Sequence, residues 1–473
     1  MTIAAAAPAP DQRAWLDLLT TPEAGELLAV ALGADGASLA TWRVHQVHAR
    51  PGAEVTVGYD VVARRSAPVG HGAVPGPGAA PVDAAEYLLA TTAPLSPDAV
   101  GPGVVRLDDG PRVLHVWRHP ADPLLPGLAS ACDATELGRR LAAAGELGTD
   151  EVVEAVETVT YRPLRRAVLR ARTSHRTVYV KVVRPDRVRS LVRRHRLLDP
   201  AAHTVAPDTG APDAGGQVVA PRCLTWADDG VVVLAEARGR SLAQHLVAVG
   251  PAAQTTAIDP SALVRALDAL PSGATALRRR PAWSERIEHY ATSALAVHGL
   301  DPGRVARVVG EVRHVLDTRD PGPVVATHGD FHEANVLLDD AGTGPADGTA
   351  HPVRVGTLLD VDTLGPGHRV DDLACVVAHL AVLPSLAPAL YGGAAALVVR
   401  CLAVFGAVVD PVALRGRAAG VVLSLVPGAA TRELADAWLG VAEDLLEEAR
   451  AGVVVPESTL IEPSSTSHTR ARG

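Results

Sequence analysis

Three side chains with oxygen ligands occur at spacings that suit one kind of chemistry. Asp330 and Asn335 lie in VVATHGDFHEANVLLDD (324–340), and Asp360 lies in VGTLLDVDTLGPGHRVDDLA (355–374), each aspartate after an apolar predicted strand. One carboxylate can accept the proton of a hydroxyl group. An amide oxygen and a second carboxylate are ligands for Mg²⁺, a hard cation. These residue types in this order predict phosphoryl transfer, which needs a base and neutralised phosphate charge.

The two segments resemble the motifs of a known family. HGDFHEAN (328–335) is similar to the HGDxHxxN motif of the aminoglycoside phosphotransferase and choline kinase superfamily, which shares the protein-kinase fold. LLDVD (358–362) resembles its second motif, and DDLA (371–374) resembles the start of the helix that braces the first. The matching motifs span about residues 161–375.

This resemblance implies a role for each motif residue. Asp330 would be the catalytic base, and Asn335 and Asp360 would bind Mg²⁺, with ATP as the co-substrate. His328 and Asp372 would support the loop that carries Asp330. The expected activity is transfer of the γ-phosphate to a hydroxyl group of a small molecule: an aminoglycoside, an amino sugar, a plain sugar or an amino alcohol.

The amino-acid composition singles out two positions. The chain has one lysine, Lys181, against 43 arginines, and its single asparagine is Asn335. Under such a bias neither residue type is expected without a reason. Lys181 lies on the predicted strand VYVKVV, where the superfamily keeps its phosphate-binding lysine. A compact ammonium and a planar guanidinium differ in geometry, so arginine would be a poor substitute there.

Further candidate contacts flank these motifs. Ser174, in the turn before Lys181, is a candidate phosphate contact, and Glu236 and Arg238 flank a segment, VVVLAEARGRSL (231–242), that resembles the strand and hinge that meet adenine. The candidate contacts to the acceptor are His332, Glu333, Asp362, Glu433 and Asp436. For Glu433 and Asp436, the alternative is that they are ordinary surface residues.

Hydrophobic periodicity and turn residues predict the elements that must position these side chains. Helices are expected at 14–33, 134–147 and 186–198, and strands at 53–63, 112–118, within 161–183 around a turn at 173–176, and from 231. Loops are expected at 66–82, 201–217 and 339–352.

The expected fold class is α+β, a bilobal protein-kinase-like fold with a small α+β cap domain before it. The cap would cover residues 1–150, a lobe with a five-stranded antiparallel sheet 151–240, and a mainly helical lobe 241–450. Residues 451–473 are expected to be a disordered tail.

The net charge of −9 is unevenly spread. Residues 151–240 carry 16 basic and 10 acidic side chains, a balance of +6, which suits nucleotide phosphate. Residues 241–450 carry 16 and 24, a balance of −8, which favours a cationic acceptor. Ordinary solubility is the alternative explanation of the acidic part.

The helix after Lys181 departs from the expected pattern. The fold usually places there a glutamate that pairs with the lysine, but this helix offers Asp186 and Asp199 at its edges and His195 in the middle. The partner of Lys181, and with it full activity, is therefore open. A non-catalytic nucleotide-binding protein remains an alternative.

Two other enzyme classes fit the sequence less well. A metallophosphoesterase could use His328 and His332 as metal ligands, but it also needs an upstream DxH and a downstream GNH, which the chain lacks. A protein kinase needs an activation loop, and only about ten residues separate LLDVD from DDLA.

Cysteine usage and hydropathy indicate the compartment of the protein. The four cysteines form no CxxC pair, which favours a reduced cytosol over a disulfide framework or zinc site. The first residues show no signal-peptide pattern. The apolar stretch 389–409 contains Arg400 and predicts buried helices rather than a membrane span. Neither nucleic acid nor a membrane is expected as a partner.

Overall fold

The structure, a computed structural model, describes residues 10–49, 54–65, 82–109, 112–200, 218–253, 258–339 and 354–452. The loop predicted at 201–217 lies outside these residues, as do nearly all of the loops predicted at 66–82 and 339–352. The predicted disordered tail lies outside them from residue 453 onward.

The first part of the chain is a five-stranded antiparallel sheet with two helices packed on it. Its strands have the order β1-β2-β3-β5-β4. The buried Tyr59 lies at the centre of this core, and its hydroxyl donates to the carbonyl of Leu19 (2.8 Å). The elements are α1 (Pro10–Thr20), α2 (Ala24–Gly33), β1 (Ala37–Ala49), β2 (Val55–Arg65), β3 (Val82–Thr91), β4 (Val104–Asp109) and β5 (Arg112–Arg118).

A second five-stranded antiparallel sheet follows, in the order β6-β7-β8-β10-β9. Two helices precede it and pack on one face, and a third packs on the other face. The elements are α3 (Leu128–Cys132), α4 (Ala134–Ala143), β6 (Val153–Arg162), β7 (Arg166–Thr173), β8 (Thr177–Val183), α5 (Pro185–Leu197), β9 (Cys223–Trp226) and β10 (Val231–Ala235).

Alternation along β8 decides which way the single lysine points. Val178, Val180 and Val182 are fully buried in the core beneath α3 and α4. Side chains on a strand alternate between faces, so Lys181 lies on the opposite face, together with Val183, which packs with α5.

The rest of the chain is mainly helical and contains two small sheets, β11-β13-β14 and β12-β15. One large apolar core joins these helices. The elements are β11 (Arg240–Ser241), α6 (Leu242–Ala253), α7 (Pro260–Asp268), α8 (Ile287–His298), α9 (Pro302–Thr318), β12 (Val324–Thr327), β13 (Val336–Leu338), β14 (Val355–Leu358), β15 (Gly365–His368), α10 (Arg369–Leu386), α11 (Pro388–Tyr391), α12 (Ala394–Gly406), α13 (Pro411–Leu425) and α14 (Arg432–Ala451).

The predicted fold class is confirmed: a five-stranded antiparallel sheet precedes a mainly helical part, and both follow an α+β unit. The division at residue 150 stays a prediction. Because Leu128, Leu137 and Leu141 of α3 and α4 pack on the second sheet, its core begins before that residue. In the part of the chain described, no helix is both long and apolar enough to cross a membrane.

A polar contact ties the two sheets together at the turn between β6 and β7. Asp122 is 3% exposed and accepts hydrogen bonds from the Tyr161 hydroxyl (2.7 Å) and the Leu164 backbone N–H (2.8 Å). Leu164 has φ 61°, a left-handed conformation unfavourable for leucine. Its side chain is buried with Leu89 and Trp117 of the first sheet. Residues before the second sheet thus help to fix this turn.

Candidate active site

The loop 328–335, called the motif loop below, is anchored to the first turn of α10. Both carboxylate oxygens of Asp372 accept backbone hydrogen bonds, from His328 (2.8 Å) and Gly329 (2.7 Å), and Asp372 is fully buried. Gly329 has φ 80°, and a Cβ there would lie 3.0 Å from the carbonyl oxygen of Thr363. Only glycine fits this turn without strain. The predicted supporting role of Asp372 agrees with these contacts.

Replacing Asp372 by asparagine is expected to lower the free energy of unfolding by about 1–3 kcal/mol, because one amide oxygen must replace two acceptors for buried N–H groups.

Burial raises the pKa of Asp372 to about 7, against the opposing effect of the Gly329 and His328 N–H groups. A carboxyl with a raised pKa stabilises the fold at acid pH, and this contribution is lost as the pH rises towards 7. Urea denaturation should therefore show the difference between wild type and variant shrinking from about pH 4 to 7; a growing difference would contradict this account.

His328 is a fully buried support beneath Asp330. Its Nε2 lies 2.8 Å from the Leu359 carbonyl, and its Nδ1 accepts from the Asp330 N–H (3.3 Å). Burial lowers the pKa of His328, which favours the neutral ring. Because both ring nitrogens bind backbone groups, neither is left for a metal ion, which disfavours the metallophosphoesterase alternative.

Strand pairing brings the two predicted metal ligands together. In the β13–β14 ladder, Val336 lies opposite Leu358, so Asn335 and Asp360 lie at the same end of the pair. The Asn335 carbonyl accepts from the Leu359 N–H (2.8 Å). The Asn335 amide nitrogen donates to the Asp330 carbonyl (2.9 Å). The amide oxygen of Asn335 is thereby left as its potential metal ligand.

Lys181 lies among carboxylates rather than in solvent. It is 7% exposed, and its Nζ is 2.6 Å from Oδ1 of both Asp360 and Asp362. Arg166, on β7, approaches the other oxygens of the same two carboxylates at 3.4 and 3.3 Å. Burial opposes ionisation of Asp360, but the charges of Lys181 and Arg166 outweigh it and hold its pKa well below the ordinary value.

The partner of Lys181 that the sequence left open is therefore a pair of aspartates. Helix α5 supplies none: Asp186 is exposed beside Arg187 (3.2 Å), and the Nδ1 of His195 lies 2.8 Å from the Pro221 carbonyl. This arrangement weakens one observation that favoured a non-catalytic protein, since the lysine has carboxylate partners without a glutamate from α5.

Ser174 was predicted to contact phosphate, but the turn that carries it is not the one that lines the cavity. Ser174 joins β7 to β8, and its Oγ accepts from the Val152 N–H (3.3 Å). The ladder pairs Arg172 with Thr177 near that turn and Arg166 with Val183 at the other end, nearer Lys181. The turn between β6 and β7, with Arg162 and Arg165, lines the cavity instead. The cluster YRPLRR at 161–166 was the missed signal.

Four other predicted contacts lie away from the motif loop. Glu236 and Arg238 are exposed just beyond β10, and their nucleotide role stays a prediction. The acceptor role of Glu433 and Asp436 is corrected, because neither lines the cavity at Asp330. Both belong to α14, where Asp436 pairs with Arg304 (2.6 Å).

His332 and Glu333 form a cluster with His379 of α10, which the sequence analysis missed. One Glu333 oxygen lies 3.6 Å from the His332 Nδ1 and 3.4 Å from the His379 Nδ1. The three ligand atoms lie within 4.8 Å of one another. However, the two rings stack in parallel at 4.2 Å, so their lone pairs do not converge on one point. We interpret the cluster as an ion-paired support for the motif loop.

A cavity of about 390 Å³ opens beside Asp330. The side chain of Asp330 is 21% exposed, and Asp360 and Asp362 share the same wall. Another wall comes from the segment between α7 and α8 and from the first turn of α8, which the sequence analysis did not assign to the site. Its charged and aromatic residues are Arg279, Arg280, Trp283, Arg286, His289 and Tyr290.

Comparison with solved structures finds aminoglycoside phosphotransferases. A thermostable mutant of APH(4)-Ia, in ternary complex with ADP and hygromycin B, has TM-score 0.41 and 14% identity, covering 67% of this chain and 98% of that one. APH(3'')-Id from Streptomyces rimosus has TM-score 0.37 and 20% identity, covering 62% and 97%. A mutant of aminoglycoside 2'-phosphotransferase-IIIa with GDP has TM-score 0.38 and 14% identity, covering 68% and 98%.

No protein-family model matches the chain, and no curated protein matches it in sequence.

Proposed function

We propose that the protein is an ATP-dependent phosphotransferase that moves the γ-phosphate to a hydroxyl group of a small molecule. The observation that supports it most is the convergence of four side chains distant in sequence. Lys181 contacts Asp360 at 2.6 Å, Asn335 lies at the same strand end, and its amide binds the backbone of Asp330.

In the proposed reaction, Asp330 accepts the proton of the acceptor's hydroxyl group while the oxygen of that hydroxyl group attacks the γ-phosphorus. The bond between the γ-phosphorus and the bridging oxygen breaks, and ADP leaves with the electron pair. Lys181 and Arg166 bind phosphate oxygens, and the segment 231–239 meets the adenine. His328 and Asp372 hold the motif loop in place for this step.

Asn335 and Asp360 fit a magnesium site, because both offer oxygen atoms, the ligands that Mg²⁺ takes, at one end of the β13–β14 pair. Magnesium bound there would neutralise charge on the phosphates. The proposed setting is the reducing cytosol, in which the four free cysteines stay as thiols.

Replacing Lys181 by arginine or Asn335 by alanine should each reduce turnover by more than about tenfold, a barrier rise of over about 1.4 kcal/mol. The guanidinium cannot fit between two carboxylates as the ammonium does, and alanine offers no metal ligand.

The test is ADP release over a panel of hydroxylated amines, sugars and acids, with magnesium and with the Asp330→Asn variant as the blank. Exposed Arg307 offers a matched control in Arg307→Gln, expected to match wild type. Near-native rates in both variants would end the assignment of Lys181 and Asn335.

A further inference from the structure

The cavity wall formed by the segment between α7 and α8 and the first turn of α8 is rich in arginine and aromatic side chains. Arg286 lies over the rings of Trp283 (5.0 Å) and Tyr290 (5.2 Å). Arg279 is held by Glu285 (2.5 Å), whose second oxygen accepts from the Ala282 N–H (2.9 Å). The wall is thus built by contacts among its own residues, and it presents guanidinium groups next to flat rings.

Five aspartates line this cavity beside its arginines, and four of them already have other partners. Asp371 pairs with Arg417 (2.5 Å), and Asp372 accepts from the His328 and Gly329 N–H groups. Asp360 and Asp362 are already paired with Lys181 and Arg166. Within the ranges that the structure describes, no ion pair is formed by Arg162, Arg280 or Arg286. Six arginines line the cavity: Arg162, Arg165, Arg166, Arg279, Arg280 and Arg286.

The guanidinium groups are close enough to affect one another. Burial lowers the pKa of Arg162, and the charge of Arg166 lowers it further, whereas the charge of Asp360 opposes this shift. Burial also lowers the pKa of Arg194, and the charge of Arg280 lowers it further against the opposing charge of Asp362. Like charges held together in a partly buried site favour a bound anion.

A second cavity of about 670 Å³ adjoins the first, and eight arginines and two carboxylates, Glu54 and Asp362, line it. The two share Arg165, Arg166, Arg279 and Arg280. The second cavity also reaches four further arginines: Arg184, Arg187, Arg194 and Arg278.

The phosphates of a nucleotide account for only part of this charge. Lys181, Arg166 and the metal ligands lie where the second sheet meets β14. Arg280 and Arg286 belong instead to the helical side of the cleft, in the wall shared with Thr327 and Gly367 below the motif loop. The hydroxyl of Ser284 lies in that wall, buried and without a hydrogen-bond partner in the described residues.

We propose that the acceptor carries at least one anionic group, a carboxylate, phosphate or sulfate, which Arg280 and Arg286 bind while its hydroxyl faces Asp330. This inference rests on the proposed function and narrows its acceptor class. It replaces the cationic acceptor that the net charge of residues 241–450 had favoured. Guanidinium groups bind carboxylate and phosphate through paired hydrogen bonds, whereas a polycationic aminoglycoside would meet the like charges of Arg162, Arg280 and Arg286.

The test uses four probes with one sugar ring and different charge: glucose, glucosamine, glucuronate and glucose 6-phosphate. Binding is measured by calorimetry to the full chain saturated with Mg-ADP, which occupies the nucleotide phosphate subsite. We expect glucuronate or glucose 6-phosphate to bind at least about tenfold more tightly than glucosamine. Arg280→Gln and Arg286→Gln should each remove this preference, and Arg307→Gln should keep it.

Three results would overturn the proposal: tighter binding of glucosamine, binding of none of the four probes, or an anion preference that both cavity variants retain. The probes could also bind without nucleotide and lose this binding when Mg-ADP is present. That result would assign the arginines to nucleotide phosphate and would likewise overturn the proposal. Arg280 is exposed, so its variant tests the inference even if Arg286→Gln fails to fold. Failure of the proposed function shows separately, as absence of Mg-ADP binding or of ADP release that depends on Asp330.

Discussion

Replacing Asp330 by asparagine should lower turnover by about a hundredfold to ten-thousandfold, the usual contribution of a positioned general base. Asparagine keeps the size of the side chain but cannot accept the hydroxyl proton. The motif loop should keep its shape, because the bonds that hold it are made by Asp372 and His328. Steady-state ADP release with the best acceptor of the panel measures the effect.

Two controls separate chemistry from folding in this variant. The affinity for Mg-ADP, measured by calorimetry, should stay within about threefold of wild type, since Asp330 is not one of the proposed metal ligands. Asp317→Asn, an exposed position on α9, should leave turnover unchanged. Turnover of Asp330→Asn close to that of wild type would remove Asp330 from the proposed mechanism.

Replacing Asp360 by alanine should lower turnover by more than about a hundredfold, because loss of a direct metal ligand should exceed the 10–100-fold typical of outer partners. Lys181 contacts Asp360 and Asp362 at the same distance of 2.6 Å. The matched variant Asp362→Ala therefore removes an equal partner of the lysine but not the proposed metal ligand.

The comparison of these two variants distinguishes the roles of the two aspartates. Affinity for Mn²⁺, followed by electron paramagnetic resonance in the presence of ADP, should fall in Asp360→Ala and change little in Asp362→Ala. Equal losses in both would mean that Asp360 acts by positioning Lys181 rather than by holding the metal.

Local patterns were enough to predict much of the fold. Strand alternation predicted the β7–β8 hairpin, and the structure gives Arg166–Thr173 and Thr177–Val183. A single lysine in an arginine-rich chain indicated a position where chemistry constrains the side chain. The spacing of the motif loop predicted which residues stand near one another, because a short loop between strands leaves little freedom.

Contacts between distant segments could not be predicted in the same way. The partners of Lys181 come from about 180 residues further along the chain, so no local pattern encodes the pair. The placement of Asp436 beside Arg304 depends on how α14 packs on α9. Net charge is limited for another reason: a balance of −8 over residues 241–450 is a sum that does not show the consecutive arginines 278–280.

The contact of Asp122 with Tyr161 and Leu164 has a consequence for any shortened form of the protein. The turn it holds bears Arg162, Arg165 and Arg166. A truncation starting at residue 151 would retain every motif residue yet leave this turn unsupported, with a left-handed leucine free to relax. A fragment that keeps this turn in place should therefore begin upstream of Asp122 and include Leu89 and Trp117, against which Leu164 packs.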